Sequence, residues 1–123
     1  MKNIVVVDDD SDILFTIENA IKYYNNQYLV TTLKSGKELI KFLKKNKPDL
    51  ILLDLMMPEM TGWEVFDKIK ENKEWTDIPI IIISSVNDDK NITNAYKNGD
   101  DYIKKPFTFD ILMDKIEKIF TEI

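Results

Sequence analysis

Apolar segments of strand length alternate with segments of helical periodicity along the whole chain. The runs "IVVV" (4–7) and "IIII" (80–83) contain no polar residue, which is typical of strands buried on both faces. Between such runs, apolar residues recur three and four positions apart, as on one face of a helix. Because parallel strands need crossovers that bury a helix, five strands alternating with five helices predict an α/β domain with a doubly wound parallel sheet.

The same periodicity predicts which residues of each helix face the core. In the first helix these are Ile13, Leu14, Ile17, Ile21 and Tyr24, and in the last they are Ile111, Leu112, Ile116, Ile119 and Phe120. Ser35 with Glu38, and Thr61 with Glu64, have capping-box spacing at the second and third helices. A fourth helix is predicted around Ile92 and Tyr96, and Thr108 is predicted to cap the last helix.

The composition fits a single domain and leaves few residue types that could carry out catalysis. With 123 residues, 44% of them apolar, it fits a single domain over residues 1–123. Lys and Arg number 17 against 22 Asp and Glu, and the formal net charge of -5 argues against a general nucleic-acid-binding surface. There is no Cys and no His, so chemistry falls to carboxylates, Lys, Ser, Thr or Tyr. Because no apolar run approaches the length of a membrane helix, about 20 residues, we expect a soluble, cytoplasmic protein without membrane contact.

Polar residues follow the predicted strands at the edge where open parallel sheets bind ligands. They are Asp8, Asp9 and Asp10 after the first strand, Asp54 after the third, Ser84 and Ser85 after the fourth, and Lys105 after the fifth. Carboxylates gathered there repel one another unless a cation neutralises them. Mg2+ prefers few carboxylates together with water and phosphate oxygens, and Lys105 adds a positive charge. Carboxylates, a divalent ion, a hydroxyl and an ammonium are the groups that phosphoryl transfer uses.

Helix capping explains part of this pattern. An Asp or Ser after a strand often caps the following helix, and this accounts for Asp10 or Ser11. It does not account for Asp54, which is followed by "LMMP" rather than by a helix.

Four motifs, in this order and spacing, resemble the receiver (CheY-like) domain of two-component response regulators: "VVVDDD", "ILLDLMMPEMTG", "IPIIIISS" and "NGDDYIKKPF". The resemblance extends from Lys2 to the last helix. It implies the strand order 2-1-3-4-5 with five helices. It also implies a Mg2+-dependent transfer of a phosphoryl group from a phosphohistidine, on a histidine kinase or a histidine phosphotransfer protein, to this chain. Such a protein catalyses only its own phosphorylation and dephosphorylation and is not an enzyme in the usual sense.

The resemblance implies a role for each residue at the strand ends. Asp54 accepts the phosphoryl group, and Lys105, which precedes a cis bond to Pro106, contacts the phosphoryl oxygens. The metal is bound by Asp9, Asp54 and the backbone carbonyl of Met56, with Asp8 acting mainly through water. Ser84 and Tyr102 occupy the switch positions. The output surface for an unknown protein target comprises the fourth helix, the fifth strand and the fifth helix, with Tyr96, Lys97, Tyr102 and Lys104 on or near it.

A phosphatase of the haloacid dehalogenase type is one alternative. It would use Asp8–Asp10 as its D-x-D motif, Ser84 as its hydroxyl and Gly99–Asp101 as its acidic motif. Three points count against it: Asp12 stands where that family has Thr or Val, the chain is short for that fold, and Asp54 would have no role.

Two binding functions are further alternatives. A calcium loop that begins at Asp8 needs Gly at its sixth and Glu at its twelfth position, where Ile13 and Asn19 stand. An interaction module that is never phosphorylated would need neither Asp54 nor Lys105. For a working receiver, the sequence leaves open a diffusible regulator, a phosphorelay intermediate and a receiver from a longer protein.

Two apolar residues generate a prediction about the lifetime of the phosphorylated state. Met56 lies two positions after Asp54 and Val86 two after Ser84, and in the receiver fold both positions border the phosphoryl group. Hydrolysis needs a water molecule placed in line with the phosphorus atom. Neither side chain can form a strong hydrogen bond that would hold this water in place. We predict slow intrinsic dephosphorylation, and faster first-order decay in Met56→Asn and Val86→Glu at fixed Mg2+ and temperature. Decay of both variants at or below the wild-type rate would contradict this.

Overall fold

Five parallel strands form a single sheet. The computed structural model describes residues 1–55, 60–84 and 101–121. The strands are β1 (Asn3–Val7), β2 (Leu29–Leu33), β3 (Leu50–Asp54), β4 (Ile80–Ser84) and β5 (Asp101–Lys104). They pair in parallel in the order β2-β1-β3-β4-β5. The predicted fold class and strand order are therefore confirmed.

The described ranges contain four helices: α1 (Ser11–Tyr24), α2 (Gly36–Leu43), α3 (Gly62–Glu71) and α4 (Phe109–Thr121). Helix α4 is the predicted fifth helix. The predicted fourth helix, around Ile92 and Tyr96, lies outside the described residues. None of the helices in the described ranges has the length and apolar character needed to cross a bilayer.

Side-chain caps begin three of these helices as the sequence predicts. The Ser35 hydroxyl accepts a hydrogen bond from the Glu38 amide at 3.1 Å, and the Glu38 carboxylate accepts one from the Lys34 amide at 2.9 Å. Thr61 and Thr108 cap α3 and α4 in the same way. The bonds to the Ser35, Thr61 and Thr108 hydroxyls each satisfy an amide that the first turn of a helix leaves without a backbone partner.

The sheet separates two apolar cores. One face carries Val5, Ile51 and Ile80 against α2 and α3, and the other carries Ile4 and Ile81 against α1 and α4. Strands β3 and β4 are buried at every position and β1 at all but its first, which confirms what the unbroken apolar runs predict. Both faces of the sheet are covered, so the carboxyl ends of the strands remain as the open edge.

Two residues predicted to face the core are exposed, and the prediction is wrong there. Tyr24 is 47% exposed and Ile111 46%. Tyr24 is the last residue of α1, and its hydroxyl donates to the Asp110 carboxylate at 2.6 Å. Ile111 lies in the first turn of α4, where its neighbour Leu112 is buried instead. Periodicity is least reliable at helix ends, where the regular pattern stops.

Gly62 allows α3 to begin directly against the end of β3. Its amide donates to the Leu55 carbonyl at 3.0 Å. A Cβ at this position would lie 2.5 Å from the Asp54 carbonyl oxygen and 2.6 Å from the Leu55 Cα. Because both neighbours are backbone atoms, they cannot move aside without shifting the segment that carries Asp54.

We therefore expect Gly62→Ala to lower the free energy of unfolding by about 1–3 kcal/mol, the usual cost of overpacking, although Ala is the better helix former. Urea unfolding measures this. Ser11→Ala is a matched control, because Ser11 is the exposed first residue of α1, and it should change stability by no more than about 0.5 kcal/mol. A Gly62→Ala protein as stable as wild type would contradict the close approach of α3 to the end of β3.

Candidate functional site

Three carboxylates meet at the carboxyl ends of β1 and β3. Asp54 is the last residue of β3, and Asp8 and Asp9 follow β1. The two strands are hydrogen-bonded neighbours, with Val7 paired to Leu53, so their ends lie side by side. One oxygen from each of the three carboxylates lies within 4.8 Å of the others. The structure thus brings together the three acidic residues that the sequence analysis singles out.

The three acids differ in their exposure. Asp8 and Asp54 are buried, at 3% and 5%, whereas Asp9 is exposed. The Asp10 amide donates to Asp8 Oδ1 at 2.9 Å, which holds the Asp8 carboxylate in position. Two buried carboxylates side by side are costly unless positive charge and hydrogen bonds compensate them.

Lys105 supplies positive charge at this point. Its Nζ lies 3.5 Å from Asp8 Oδ2 and 3.7 Å from Asp54 Oδ2. Its amide donates to the Ser84 carbonyl at 2.9 Å, which ties the segment after β5 to the end of β4. The peptide bond from Lys105 to Pro106 is cis, in agreement with the resemblance. Three carboxylates and one ammonium still leave two negative charges in excess, so the site suits a divalent cation.

Ser84 and Tyr102 lie behind this cluster. Ser84 ends β4 and is fully buried, and Tyr102, on β5, is 7% exposed. The Tyr102 hydroxyl is 3.5 Å from the Ser84 carbonyl oxygen, within the core on the α2 and α3 side. The two residues predicted as a switch are therefore neighbours, and both are buried.

Two further acidic residues of the motifs have structural roles within the described ranges. Asp10 is the N-cap of α1, and its carboxylate accepts from the Asp12 amide at 2.9 Å. Asp101 is the first residue of β5 and so lies at the amino ends of the strands, whereas Lys105 follows their carboxyl ends. The Asp101 carboxylate forms an ion pair with Lys115 Nζ at 2.9 Å. Asp101, the one residue of the Gly99–Asp101 motif that the structure describes, is therefore not at this site. Met56 and Val86, predicted to influence the phosphoryl lifetime, lie outside the described residues.

An open groove beside the site was missed by the sequence analysis. It has a volume of about 470 Å³ and runs between α1 and the segment that follows β5. Its lining includes Asp12, Thr16, Lys105, Phe107 and Phe109. A groove between elements far apart in sequence depends on how they pack, so no local pattern could have indicated it.

Comparison with known proteins shows the family. Residues 4–117 match the model of the response regulator receiver domain, and the chain belongs to this family. Response regulator SaeR of Staphylococcus aureus (strain USA300) is 36% identical over 122 residues, which is 98% of this chain and 51% of that protein. This chain thus spans about half the length of that curated relative.

Solved structures agree with this assignment. A two-component response regulator from Clostridium difficile is 28% identical, with a TM-score of 0.87 over 99% of this chain and 98% of that one. The chemotaxis response regulator CheY4 of Vibrio cholerae has a TM-score of 0.84 at 22% identity, over 97% of this chain and 98% of that one, and supports the fold alone.

Proposed function

We propose that Asp54 accepts a phosphoryl group from a phosphohistidine on a partner protein. The observation that carries this proposal is the contact of Lys105 Nζ with both Asp54 and Asp8, at the end of adjacent strands, beside the exposed Asp9. Phosphoryl transfer depends mainly on positioning and on neutralising charge around the transferred group. The Lys105 ammonium can neutralise part of that charge, and the two further carboxylates can hold a divalent cation that neutralises more.

In the proposed reaction, an Asp54 carboxylate oxygen attacks phosphorus. The new O–P bond forms as the N–P bond to the donor imidazole breaks, and the imidazole leaves with the bonding electron pair. The Lys105 ammonium lies where it can offset negative charge on the phosphoryl oxygens. This chain catalyses its own phosphorylation, and its own dephosphorylation by water.

The acidic cluster fits Mg2+ in number and kind of ligands. Asp9 and Asp54 would bind the ion directly and Asp8 mainly through water, with the carbonyl of Met56, outside the described residues, as a further ligand. When bound, the ion would neutralise charge on the carboxylates and on the phosphoryl oxygens together. Asp9 is exposed, which suits a metal that keeps several waters.

The groove beside the site is the docking surface that we propose for the donor. Its lining includes Lys105 and Phe109, and Phe109 is 39% exposed. Phe15 on α1, 68% exposed, lines a second pocket together with Phe109. Large apolar side chains are rarely left in water together without a binding role. A helix of a histidine kinase or a phosphotransfer protein, laid in this groove, would bring its phosphohistidine toward Asp54.

The response to phosphorylation is proposed to pass through Ser84 and Tyr102. A phosphoryl oxygen would accept a hydrogen bond from the Ser84 hydroxyl, and the ring of Tyr102 would fix the packing of β5 against its neighbours. Lys104, exposed on β5 next to Tyr102, belongs to the proposed output surface for a protein target. A switch of this kind needs two packed states whose balance the new charge shifts.

Phosphorylation by a small donor tests the acceptor. The full chain, incubated with acetyl phosphate and Mg2+, should gain one phosphoryl mass, and Asp54→Asn should not, because its amide is not a nucleophile. A chelator should reduce the gain to background. Intact-protein mass spectrometry measures each sample.

Two variants serve as controls in this test. Asp67→Asn makes the same change at an exposed position of α3, and Phe109→Ala alters the groove but not the acidic cluster. Both should be modified like wild type, because a small donor needs no docking surface. A modified Asp54→Asn protein would place the acceptor elsewhere, and an unmodified wild type would overturn the proposal.

A further inference from the structure

The outer side of α2 carries a stripe of lysines. Lys37 and Lys41 lie on α2, on the side opposite the buried Leu39 and Leu43, whereas Lys34 precedes the helix and Lys44 and Lys45 follow its last residue. All five are exposed and, except for the last, three or four positions apart. Glu38 is the one acidic residue from 34 to 45. Its carboxylate faces the start of the helix, where it accepts from the Lys34 amide. A chain with a net charge of -5 thus concentrates positive charge on one helix.

Some lysines on other helices have acidic partners, whereas Lys68 and Lys118 have no ion pair with any described residue. Lys22 on α1 pairs with Glu18 at 2.9 Å, and Lys115 on α4 pairs with Asp101 at 2.9 Å. For Lys41, Lys44 and Lys45, the structure shows no ion pair with any described residue. Like charges three or four positions apart weaken a helix. Within α2 this repulsion acts between Lys37 and Lys41, and the helix dipole offsets part of it because Lys41 lies in the last turn.

We infer that the outer side of α2 binds an acidic helical segment of a partner protein. From Lys37 to Lys44, the C-cap of α2, seven residue steps span about 10 Å along the helix. Carboxylates three and four positions apart on a second helix would repeat the spacing of the lysines. This surface lies on the α2 and α3 side of the sheet, away from the groove between α1 and β5, so the inference goes beyond the proposed phosphoryl transfer.

The neighbouring helix favours a narrow partner over a broad polyanion. Helix α3 lies beside α2, with Gly36 packed against Val65. It exposes three acidic residues, Glu64, Asp67 and Glu71, and one lysine, Lys68. A membrane surface or a nucleic-acid duplex would meet these carboxylates together with the lysines. Charges act over about 8 Å at physiological ionic strength, so a single acidic helix placed along α2 meets mainly the lysines.

Binding of a defined acidic peptide tests the inference. The probe is a capped, alanine-based helical peptide of about 18 residues, with Glu three and four positions apart, titrated into the full chain. Amide NMR shifts should be confined to residues 34–45. Lys41→Glu/Lys44→Glu should raise the Kd at least about tenfold, since two attractive contacts become repulsive.

Lys22→Glu/Lys118→Glu is the matched control, because it changes the net charge equally but lies on α1 and α4. It should change the Kd by less than about twofold, and circular dichroism should show both variants folded. If both variants bound the peptide equally weakly, binding would depend only on net charge, and the inference would be overturned. Shifts centred outside α2 would do the same. Tighter binding of α2 to random-sequence duplex DNA or to phosphatidylserine vesicles than to the peptide would show that the partner class is wrong.

Discussion

The contact of Lys105 with Asp8 and Asp54 is the interaction on which the site depends. Parallel pairing of β1 with β3 places two buried carboxylates side by side, and the fold would be penalised if both stayed charged without compensation. Lys105 reaches them from the segment after β5 because its amide is fixed to the Ser84 carbonyl at the end of β4. One lysine thus joins the ends of β1, β3 and β4 around a single point of negative charge.

The residual negative charge connects stability with function. Holding three carboxylates together destabilises the free chain. A bound cation, and the phosphoryl group in the proposed reaction, would use this arrangement, which explains why it is present despite that cost in stability. The two sides of the sheet carry different surfaces. The side covered by α1 and α4 offers an apolar groove next to Lys105, and the side covered by α2 and α3 offers a charged helix. Donor and acidic partner could therefore bind one chain at the same time.

The strands, the strand order and the acidic cluster were predictable because they depend on local signals and on one topological rule. Unbroken apolar runs mark buried strands, and the carboxyl ends of parallel strands must share an edge. The exposure of Tyr24 and Ile111 was not predictable, because it depends on how the ends of α1 and α4 meet. The pair between Lys115 and Asp101 and the burial of the Tyr102 ring depend on the same kind of long-range packing. The effects of Met56 and Val86 stay predictions.

A crystal structure of the full chain with Mg2+ and beryllofluoride, a stable mimic of an aspartyl phosphate, tests the central claim most directly. The account predicts beryllium bonded to an Asp54 carboxylate oxygen, a fluoride in contact with Lys105 Nζ, and Mg2+ bound by Asp9 and Asp54. Beryllofluoride on Asp8 or Asp9, or a metal bound away from these three carboxylates, would contradict it.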